Sequence, residues 1–308
     1  MDVSIIIVNY NTKQLLADCL NSIFAQTIDL DFEVIVSDNS STDGSLEMLK
    51  ADFPQVILIE NNANLGFGAA NNRGLAVAKG KYVFYLNSDT ILINNAVKLF
   101  FDYFEENGEK ENIGALGCNL LNKNGEIIHS YGDFLKLNEI NHILNNLIHT
   151  VYGNFKLYLL LKVFHKAIPV IENKKHYEKK TGQVEYITGA DLFMRNNDSA
   201  LYDEQYFMYC EEMDLQYILS KQKKYSFIID SPKIIHLEGG SEKKATDIIR
   251  QEANFSRINW RMSQIYFFKK NGIRHSKIFL FKLATFLLWL NPLIFKQTQK
   301  YMKKLWQI

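Results

Sequence analysis

The chain has 308 residues, 47% hydrophobic and 22% charged, so it can form a substantial core and is neither disordered nor collagen-like. Its net charge of +1 excludes no class of partner, but the charge is unevenly distributed. Residues 250–308 hold 12 Lys and Arg against one acid, a net charge of +11, which leaves −10 for residues 1–249. This asymmetry suggests that the basic tail meets an anionic surface.

Cysteine usage and the N-terminus bear on the compartment. Cys19, Cys118 and Cys210 are widely spaced and form neither a disulfide framework nor a zinc-binding pattern, which favours a reducing compartment. The N-terminus has no basic region, and its apolar run is too short for a signal peptide. We therefore expect a cytoplasmic protein whose mature chain begins near Met1.

Four apolar segments in the first 90 residues predict β-strands separated by short helices. Each segment is nearly apolar throughout, which is typical of a parallel sheet covered on both faces. Thr12 is placed to cap the first helix, whose apolar residues follow helical spacing. A glycine-rich stretch, residues 65–74, opens another helix that runs to Ala78. The predicted strands are Ser4–Val8, Phe32–Val36, Val56–Ile59 and Lys81–Leu86.

Short polar side chains follow the first two strands, in residues 9–12 and 37–44. Ligands of open α/β sheets bind outside the carboxyl ends of the strands, so these turns suit a nucleotide crevice. The alternative is that they are ordinary polar loops. The sequence has no P-loop motif, and no Gly-x-Gly-x-x-Gly follows the first strand. These absences argue against a P-loop NTPase and a dinucleotide-binding unit.

The fourth strand ends abruptly in Asn87-Ser88-Asp89. An acid just past a strand end lies where chemistry is expected in such a sheet. The alternative is that these residues only cap a turn, as Asn, Ser and Asp often do.

The middle of the chain contains further strands and one distinct segment. Residues 91–117 predict a helix and then a strand over Ile113–Gly117, and Asn122–Gly125 predicts a hairpin turn. Residues 135–165 place apolar residues at helical spacing and fit a substrate-side lid, a membrane-facing helix or plain core. Tyr186–Arg195 predicts a strand that lines a cleft.

Three carboxylates, Glu211, Glu212 and Asp214, directly follow an aromatic run. Charges in apolar surroundings cost free energy, which suggests a function. At a helix start the macrodipole would stabilise them, which is the structural explanation, and both can hold. His236 ends another apolar strand; such a histidine is more often structural, but the following Gly239-Gly240 lets backbone approach a ligand closely and favours function.

The tail pairs basic residues with long apolar stretches. Leu283–Phe295 carries no charge, but it is short and interrupted by proline, so it does not predict a membrane span. Basic flanks with Trp289 and Trp306 suit helices that lie in the interface of an anionic membrane. The alternative is a pair of helices packed on the body or between subunits. The density of Leu, Ile and Phe argues against nucleic acid.

Seven motifs follow one another within residues 3–270. In chain order they are SIIIVNYN (4–11), VIVSDNSSTDGS (34–45), NLGFGAANNRG (64–74), YLNSDT (85–90), ITGADLFMR (187–195), YCEEMDL (209–215) and HLEGGS (236–241). Together they resemble the family 2 inverting glycosyltransferases of the GT-A fold, especially the rhamnosyltransferase-like branch. The resemblance implies an α/β fold in which a Rossmann-like nucleotide-binding sheet is fused to an acceptor-binding half, with a membrane-associated helical tail. The implied parts are 1–120 for nucleotide-sugar binding, 121–249 for acceptor binding and catalysis, and 250–308 for basic amphipathic helices.

The resemblance also implies a metal-binding site, here called the metal corner, and a catalytic base. Asp89 matches the metal-ligating acid of the family's Asp-x-Asp motif, and His236 matches a histidine that closes over the diphosphate or metal. Asn87 replaces the first acid of that motif, which leaves fewer charged ligands. Glu212 matches the catalytic base, with Glu211 as its rival.

Other implied roles concern the nucleotide sugar. Asp38 would bond the base, Asn9 and Asn11 would line the pocket, and Asn72 and Arg73 would approach the diphosphate. Ile218 stands where the family often has an arginine, so we considered Arg195 for a diphosphate or acceptor contact. The full implied set is Asn9, Asn11, Asp38, Asn39, Ser40, Asn72, Arg73, Asn87 and Ser88.

The chemistry of sugar transfer fits these residues. One carboxylate takes the acceptor proton, and a divalent ion stabilises the leaving diphosphate. Oxygen ligands with at most one histidine suit Mg²⁺ or Mn²⁺ better than zinc. With the resemblance, this chemistry implies metal-dependent transfer from a nucleotide diphosphate sugar to a growing lipid-linked glycan at the inner face of the membrane. The donor that the resemblance suggests is dTDP-rhamnose.

The sequence argues against two alternative functions. An inactive nucleotide-sugar-binding or scaffold protein would not need three acids at separate strand ends. A sugar nucleotidyltransferase would need a phosphate loop after the first strand.

Overall fold

The computed structural model describes residues 1–135, 179–237 and 253–308. The chain divides into two compact units. The first unit comprises residues 1–134, 175–207 and 211–242, and the second comprises 135–174, 208–210 and 243–308. The predicted lid or membrane helix within 135–165 and the glycines after His236 lie outside the described residues.

The five strands predicted before residue 118 begin and end within two residues of the predicted positions, and the predicted strand over Tyr186–Arg195 forms two separate strands. In chain order the strands of the first unit are β1 (Val3–Asn9), β2 (Phe32–Asp38), β3 (Ile57–Glu60), β4 (Tyr82–Asn87), β5 (Thr90–Leu92), β6 (Ile113–Cys118), β7 (Tyr131–Gly132), β8 (Gly182–Val184), β9 (Tyr186–Ile187), β10 (Asp191–Arg195), β11 (Tyr225–Ile229) and β12 (Ile234–His236).

The helices of the first unit alternate with strands in its N-terminal half. They are α1 (Lys13–Gln26), α2 (Ser45–Asp52), α3 (Phe67–Leu75), α4 (Ala96–Asn107) and α5 (Glu211–Lys221). The second unit contains α6 (Phe255–Lys270), α7 (His275–Trp289) and α8 (Phe295–Gln307).

The main sheet has eight strands in the order β3-β2-β1-β4-β10-β6-β11-β8. Strands β1 to β4 are parallel to one another, as the sequence predicted. The complete sheet is mixed, because β10 lies antiparallel between β4 and β6, and β8 is antiparallel to β11. Strand β10 is buried on both faces, so its apolar sequence carries no sign of its direction.

Alternate residues of the central strands supply two separate cores. Ile5, Ile7 and Phe84 face α1 and α4, while Ile6 and Tyr85 face the side covered by α3 and α5. These side chains are fully buried, and each contributes about 1.5–3 kcal/mol on transfer from water. Because both cores are continuous across β1 and β4, the carboxyl ends of these strands are held on a rigid base.

The second unit packs three helices together. Helix α7 contacts both α6 and α8, with Phe268 and Phe281 5.4 Å apart between ring centres and Trp289 fully buried. The prediction of C-terminal helices is confirmed. No helix among the described residues is long and apolar enough to cross a membrane.

Candidate active site

Three parallel strands bring their polar ends to one edge of the sheet. In register, Asn9 of β1 is opposite Asp38 of β2, and Val8 is opposite Asn87 of β4. The structure therefore places the polar ends of the first, second and fourth strands side by side, as the sequence predicted. Residues following β4 and β2 are the natural walls of a cleft at this edge.

Asp89 and His236 meet just beyond the end of β4. Strand β12 pairs with β5 so that His236 is opposite Thr90, and the Leu237 amide donates to the Asp89 carbonyl at 2.9 Å. His236 Nε2 lies 3.2 Å from Asp89 Oδ1, and both side chains are 15–18% exposed. Two residues 147 positions apart in the sequence thus form one corner of the cleft.

The donor set of this corner fits a hard divalent ion. It offers one carboxylate and one imidazole, and in the described part of the chain no group of three His, Cys, Asp or Glu side chains could hold a metal by itself. Mg²⁺ is bound by one or two carboxylates and completes its shell with water and substrate phosphate. Asp89 and His236 therefore fit an ion that arrives with the diphosphate of a nucleotide sugar.

Thr12 links the first strand to this corner. Its hydroxyl donates to Asn9 Oδ1 at 2.7 Å and lies 2.9 Å from Ser88 Oγ. The prediction that the Thr12 side chain caps α1 is wrong, since Thr12 occupies the N-cap position without a side-chain cap bond. The hydroxyl instead ties the turn after β1 to the turn after β4.

Asp38 is fully buried and both its oxygens are used within the protein. Asp38 Oδ1 accepts from Asn9 Nδ2 at 2.7 Å, and Oδ2 accepts from the Ser41 amide at 2.8 Å. A direct bond from this carboxylate to a nucleotide base, which the resemblance implied, does not fit this geometry. Asn9 is equally buried, so neither side chain lines an open pocket. They position the loop that follows β2.

The turns after β1 and β2 each present one residue with left-handed backbone. Asn11 has a φ of 55° and Ser40 a φ of 66°, and neither side chain is buried. Asn11 Oδ1 accepts from the Thr42 amide at 2.7 Å. Asn39 points the other way: it is 2% exposed and donates to the Gly66 carbonyl at 3.0 Å. Within the predicted nucleotide set, Asn11 and Ser40 reach the surface and Asn39 supports the loop.

Asn72 and Arg73, which were predicted to approach a diphosphate, both lie on α3. Asn72 Nδ2 donates to the Tyr202 carbonyl at 2.9 Å and to Glu204 Oε1 at 3.0 Å, and Asn72 Oδ1 accepts the Tyr202 amide at 2.9 Å. The side chain of Asn72 therefore holds α3 against the segment at Tyr202. Arg73 is exposed on α3. Arg195 pairs in register with Tyr82 at the start of β4 and forms an ion pair with Glu109 at 2.6 Å, so it lies at the opposite edge of the sheet. The Arg195 prediction is wrong.

The two glutamates at the start of α5 have different surroundings. Glu211 is 3% exposed, and its Cβ lies beside Gly68 of α3. Glu212 is only partly buried, and its Cβ lies beside Gly189. Burial raises the pKa of the Glu212 carboxyl towards neutrality, against the hydrogen bonds of backbone amides at the helix start.

Gly189 connects Glu212 to the metal corner. The carbonyl of the next residue, Ala190, accepts the Asn87 amide at 3.1 Å. One short segment, Gly189–Ala190, thus lies between the Glu212 side chain and the end of β4. The structure brings together Asn87, Ser88, Asp89 and His236, and it places Glu212 beside the segment that bonds the Asn87 amide.

The chain enters α5 through an unusual backbone. Tyr209 and Cys210 have φ values of 69° and 67°, and neither is glycine. Left-handed backbone costs such residues about 1–2 kcal/mol each. Strain of this kind collects at functional sites, here directly before Glu211 and Glu212. Sequence reasoning missed it, because neither residue type favours a positive φ.

Asp191 is a second feature that sequence reasoning missed. It begins β10, is fully buried, and accepts the Cys118 amide at 2.7 Å through Oδ2. Burial raises its pKa to about 7. Because β10 is antiparallel, its first residue lies at the same edge as the end of β4. The only signal in the sequence was an acid within an otherwise apolar strand.

The mixed sheet with its acids at the carboxyl ends of the strands is an α/β fold of the GT-A type. Among solved structures, a Pyrobaculum calidifontis mannosyltransferase in complex with GDP-Man and Mn²⁺ superposes with a TM-score of 0.53 at 14% identity, over 98% of this chain and 74% of that one. S. aureus TarS superposes with a TM-score of 0.52 at 14% identity, over 100% and 55% of the two chains. At this identity the likeness concerns the fold alone.

The chain belongs to Glycosyl transferase family 2, whose family model matches residues 4–160. A poly(ribitol-phosphate) beta-glucosyltransferase of Bacillus spizizenii is 35% identical over 121 residues, 38% of this chain and 19% of that protein. An Escherichia coli UDP-Glc:alpha-D-GlcNAc-diphosphoundecaprenol beta-1,3-glucosyltransferase is 36% identical over 120 residues, 35% of this chain and 47% of that protein. The matches thus span less than half of either relative.

Proposed function

We propose that this protein is a metal-dependent inverting glycosyltransferase that moves a hexose from a nucleotide diphosphate sugar to a glycan acceptor. The observation that carries the proposal is the Asp89–His236 pair at 3.2 Å. The segment Gly189–Ala190 lies between the Cβ of Glu212 and the amide of Asn87 at the end of the strand that carries this pair. Membership of family 2 supports the same reaction.

Glu212 acts as the base in this mechanism. Its carboxylate takes the proton of the acceptor hydroxyl while that oxygen forms a bond to the anomeric carbon. The bond from this carbon to the diphosphate oxygen breaks on the opposite face, which inverts the configuration. A positioned base contributes about 10²–10⁴-fold in rate. A partly buried carboxyl whose pKa is raised by burial suits proton abstraction near neutral pH better than an exposed one.

Asp89 and His236 hold the divalent ion, Mg²⁺ or Mn²⁺, in this proposal. When bound, the ion neutralises negative charge that develops on the leaving nucleoside diphosphate. Asn87 contributes a neutral side chain in place of a second acid, so His236 supplies the second protein ligand. Ser88, held by Thr12 at 2.9 Å, fixes the turn that carries Asp89.

The nucleotide lies along the ends of β1 and β2. Asn11 and Ser40 supply the exposed groups. The buried side chains of Asn9, Asp38 and Asn39 hold the turns after β1 and β2, in which Asn11 and Ser40 have left-handed backbone. Asn72 and Arg73 lie on α3, where Asn72 positions the helix and Arg73 remains available at the surface.

The acceptor is a surface glycan, free or lipid-linked. Two relatives in the family bear names of glucosyltransferases that act on poly(ribitol-phosphate) and on a diphosphoundecaprenol-linked sugar. UDP-glucose is therefore tested beside dTDP-rhamnose, the donor implied by the rhamnosyltransferase-like motifs. A lipid-linked acceptor would place the protein at the inner membrane face.

Donor screening tests the proposed function. Release of nucleoside diphosphate is measured for a panel of sugar nucleotides with Mg²⁺, Mn²⁺ or EDTA, with and without lipid-linked acceptors. We expect sugar nucleotides of one nucleotide class to release nucleoside diphosphate, and we expect EDTA to abolish this release. Binding of nucleotide sugars with no release under any condition would favour an inactive binding or scaffold protein instead.

A further inference from the structure

A cavity of about 400 Å³ lies beside β8, the edge strand furthest from β3. Its lining follows the chain from Lys180 to Glu185 and includes Tyr131, Phe134 and Tyr225. The volume falls within the range of ligand pockets, about 300–1,000 Å³. None of the proposed catalytic or nucleotide-binding residues lines it.

The cavity is separate from the nucleotide side of the sheet. Strand β2, which ends in Asp38, and strand β8 are six positions apart in the sheet order. Strands are spaced about 4.8 Å apart, so they are separated by about 29 Å along the sheet. A nucleotide bound at the ends of β1 and β2 cannot fill this cavity.

Helix α5 connects the cavity to the proposed base. Glu212 lies in its first turn, and Ser220, eight residues later, lines the cavity. At 1.5 Å per residue the two positions are about 12 Å apart along the helix, which is longer than one sugar ring. A ligand in the cavity would therefore be a neighbour of the reacting group and not the reacting group itself.

One end of the cavity reaches the catalytic edge of the sheet. Lys180 is bonded through its backbone to the side chain of Asn119, at 2.8 and 2.9 Å. Asn119 directly follows β6, which runs parallel to β4 because both pair antiparallel with β10. The cavity thus begins at the edge where β4 carries Asp89 and extends along β8.

The aromatic wall of the cavity is fixed in advance. The ring of Phe134 is 8% exposed, stacks on Tyr186 at 6.2 Å and meets the edge of Tyr217 at 5.2 Å. Tyr131 is held by backbone pairing with Ile187. Phe134 therefore supports the wall from within, and the half-buried Tyr131 can offer its ring to the apolar face of a sugar without losing side-chain freedom on binding.

The polar wall suits hydroxyl groups. Gln183 is exposed on β8, which in the described part of the chain pairs only with β11 and so offers outward peptide groups. Among the described lining residues, Asp133 and Glu185 are acidic and Lys180 is basic, and Glu185 Oε2 accepts the Phe134 amide at 2.6 Å. These groups offer donors and acceptors to the hydroxyl groups of a neutral sugar.

We propose that this cavity is an acceptor subsite that binds a neutral sugar unit of the glycan, one or more units away from the hydroxyl that reacts at Glu212. The inference rests on the proposed function, since Glu212 defines where the acceptor ends. The subsite makes the enzyme favour acceptors of several sugar units over a single sugar.

Binding without donor tests the subsite directly. Neutral gluco-, galacto-, rhamno- and N-acetylglucosamine oligosaccharides of one to four units are titrated into the full chain by calorimetry. We expect at least one series to bind, with affinity rising about tenfold from one to three units. Tyr131→Ala should weaken binding of that trimer up to about tenfold, since an aromatic contact contributes about 0.5–1.5 kcal/mol. Gln183→Ala should weaken it by a similar factor, since a hydrogen bond contributes a similar free energy.

Matched controls separate the subsite from general damage. Tyr103→Ala removes a half-buried tyrosine of α4, and Gln55→Ala removes an exposed glutamine near β3. Both should leave oligosaccharide binding unchanged, and all four variants should bind nucleoside diphosphate like the parent. Equal losses of oligosaccharide affinity in the cavity variants and the control variants would overturn the subsite. Binding of lipid or phosphorylated acceptors alone would overturn it as well.

The subsite and the proposed function can fail separately. Nucleotide release by the parent chain with no oligosaccharide bound by calorimetry would refute the subsite and leave the glycosyltransferase standing. Oligosaccharide binding that depends on Tyr131 and Gln183, without turnover of any sugar nucleotide, would refute the proposed function and leave a glycan site.

Discussion

Glu211 and Glu212 are neighbours in sequence, yet they lie in different surroundings. Glu211 packs against α3 at Gly68, and Glu212 borders Gly189 on the side of the metal corner. The sequence alone left the choice of base open, because the side chains of consecutive helical residues point to different sides of the helix and the sequence does not show which side faces the site. We propose Glu212 as the base, because its side chain borders Gly189, whose neighbour Ala190 accepts the Asn87 amide.

Replacing each glutamate by glutamine tests this assignment. Glu212→Gln should lower kcat by about 10²–10⁴-fold, because an amide cannot accept the acceptor proton. Donor binding, measured by calorimetry, should stay within about twofold of the parent because the substitution preserves shape. Glu211→Gln is the matched control and should retain activity. A reversed pattern would move the base to Glu211.

Asp191 makes a prediction about stability against pH. Its pKa is raised by burial to about 7 in the folded chain, so folded protein holds this proton more tightly than unfolded protein does. Its contribution to stability is therefore fully present below about pH 4, and it is lost as pH rises towards about 7.

Asp191→Asn removes that pH dependence while keeping the size of the side chain. Between pH 4 and pH 7 the free energy of unfolding of the parent should fall, relative to this variant, by about 2–4 kcal/mol. Urea unfolding at both pH values measures the difference. Asp52→Asn, at an exposed site on α2, is the control and should shift nothing. A parent and variant that respond alike to pH would contradict the account.

At the scale of elements, α3 begins where the backbone approaches another segment closely. Gly66 has a φ of 88°, and a Cβ there would lie 2.1 Å from the Phe207 carbonyl oxygen. The same carbonyl accepts the Phe67 amide at 3.0 Å. The start of α3 is thereby joined to the segment that leads towards α5, so Gly66 helps to place Glu212.

Gly66→Ala should therefore destabilise the protein by about 2–4 kcal/mol, from left-handed strain plus the clash. Gly125→Ala is the matched control: its φ is 78°, but nothing lies within 4 Å of the added carbon. That variant should lose only about 1 kcal/mol. Chemical unfolding measures the stability of both variants. Equal losses of stability would mean that the backbone at Phe207 moves away from the added carbon without a cost in free energy.

Much of the fold could be predicted because strands and helices leave local patterns. The runs ending at Asn9, Asp38 and Asn87 are apolar and stop at polar turns, so their strands and the shared edge followed from sequence. The antiparallel direction of β10 did not, because a strand buried on both faces is apolar in either direction.

The candidate site was predicted in residue type more than in side-chain direction. Asp89 and His236 were placed correctly at one corner. Asp38 was expected to face a ligand, but Asn9 and Ser41 take both its oxygens. Arg195 was expected near the phosphates, but antiparallel pairing puts it at the far edge. Such bonds join residues distant in sequence, where no local pattern exists.

On the scale of the whole molecule, charge and exposed apolar side chains coincide in the second unit. Lys296, Lys300, Lys303 and Lys304 are all exposed on α8, while Thr298 and Leu305 form its buried stripe. Phe279, Leu287 and Trp306 are exposed apolar residues of α7 and α8. These features support the predicted contact with an anionic membrane.

Removing residues 278–308 is a poor test of this contact, because it would also delete the buried Phe281 and Trp289. Changing the four α8 lysines to glutamine keeps the helix packing and removes only charge. Each lysine near an anionic surface is worth about 1 kcal/mol, so binding to vesicles rich in anionic lipid should weaken by about a hundredfold or more.

The control replaces four exposed lysines of the first unit, Lys79, Lys110, Lys123 and Lys223, by glutamine. It removes the same charge from elsewhere and should leave vesicle binding nearly unchanged. Binding of the parent should also weaken as salt is raised, since the Debye length shrinks from about 10 Å at 0.1 M to about 3 Å at 1 M. Equal weakening in the two variants would mean that total charge, and not the surface of α8, governs the contact, and the tail would then be a packing element of the second unit.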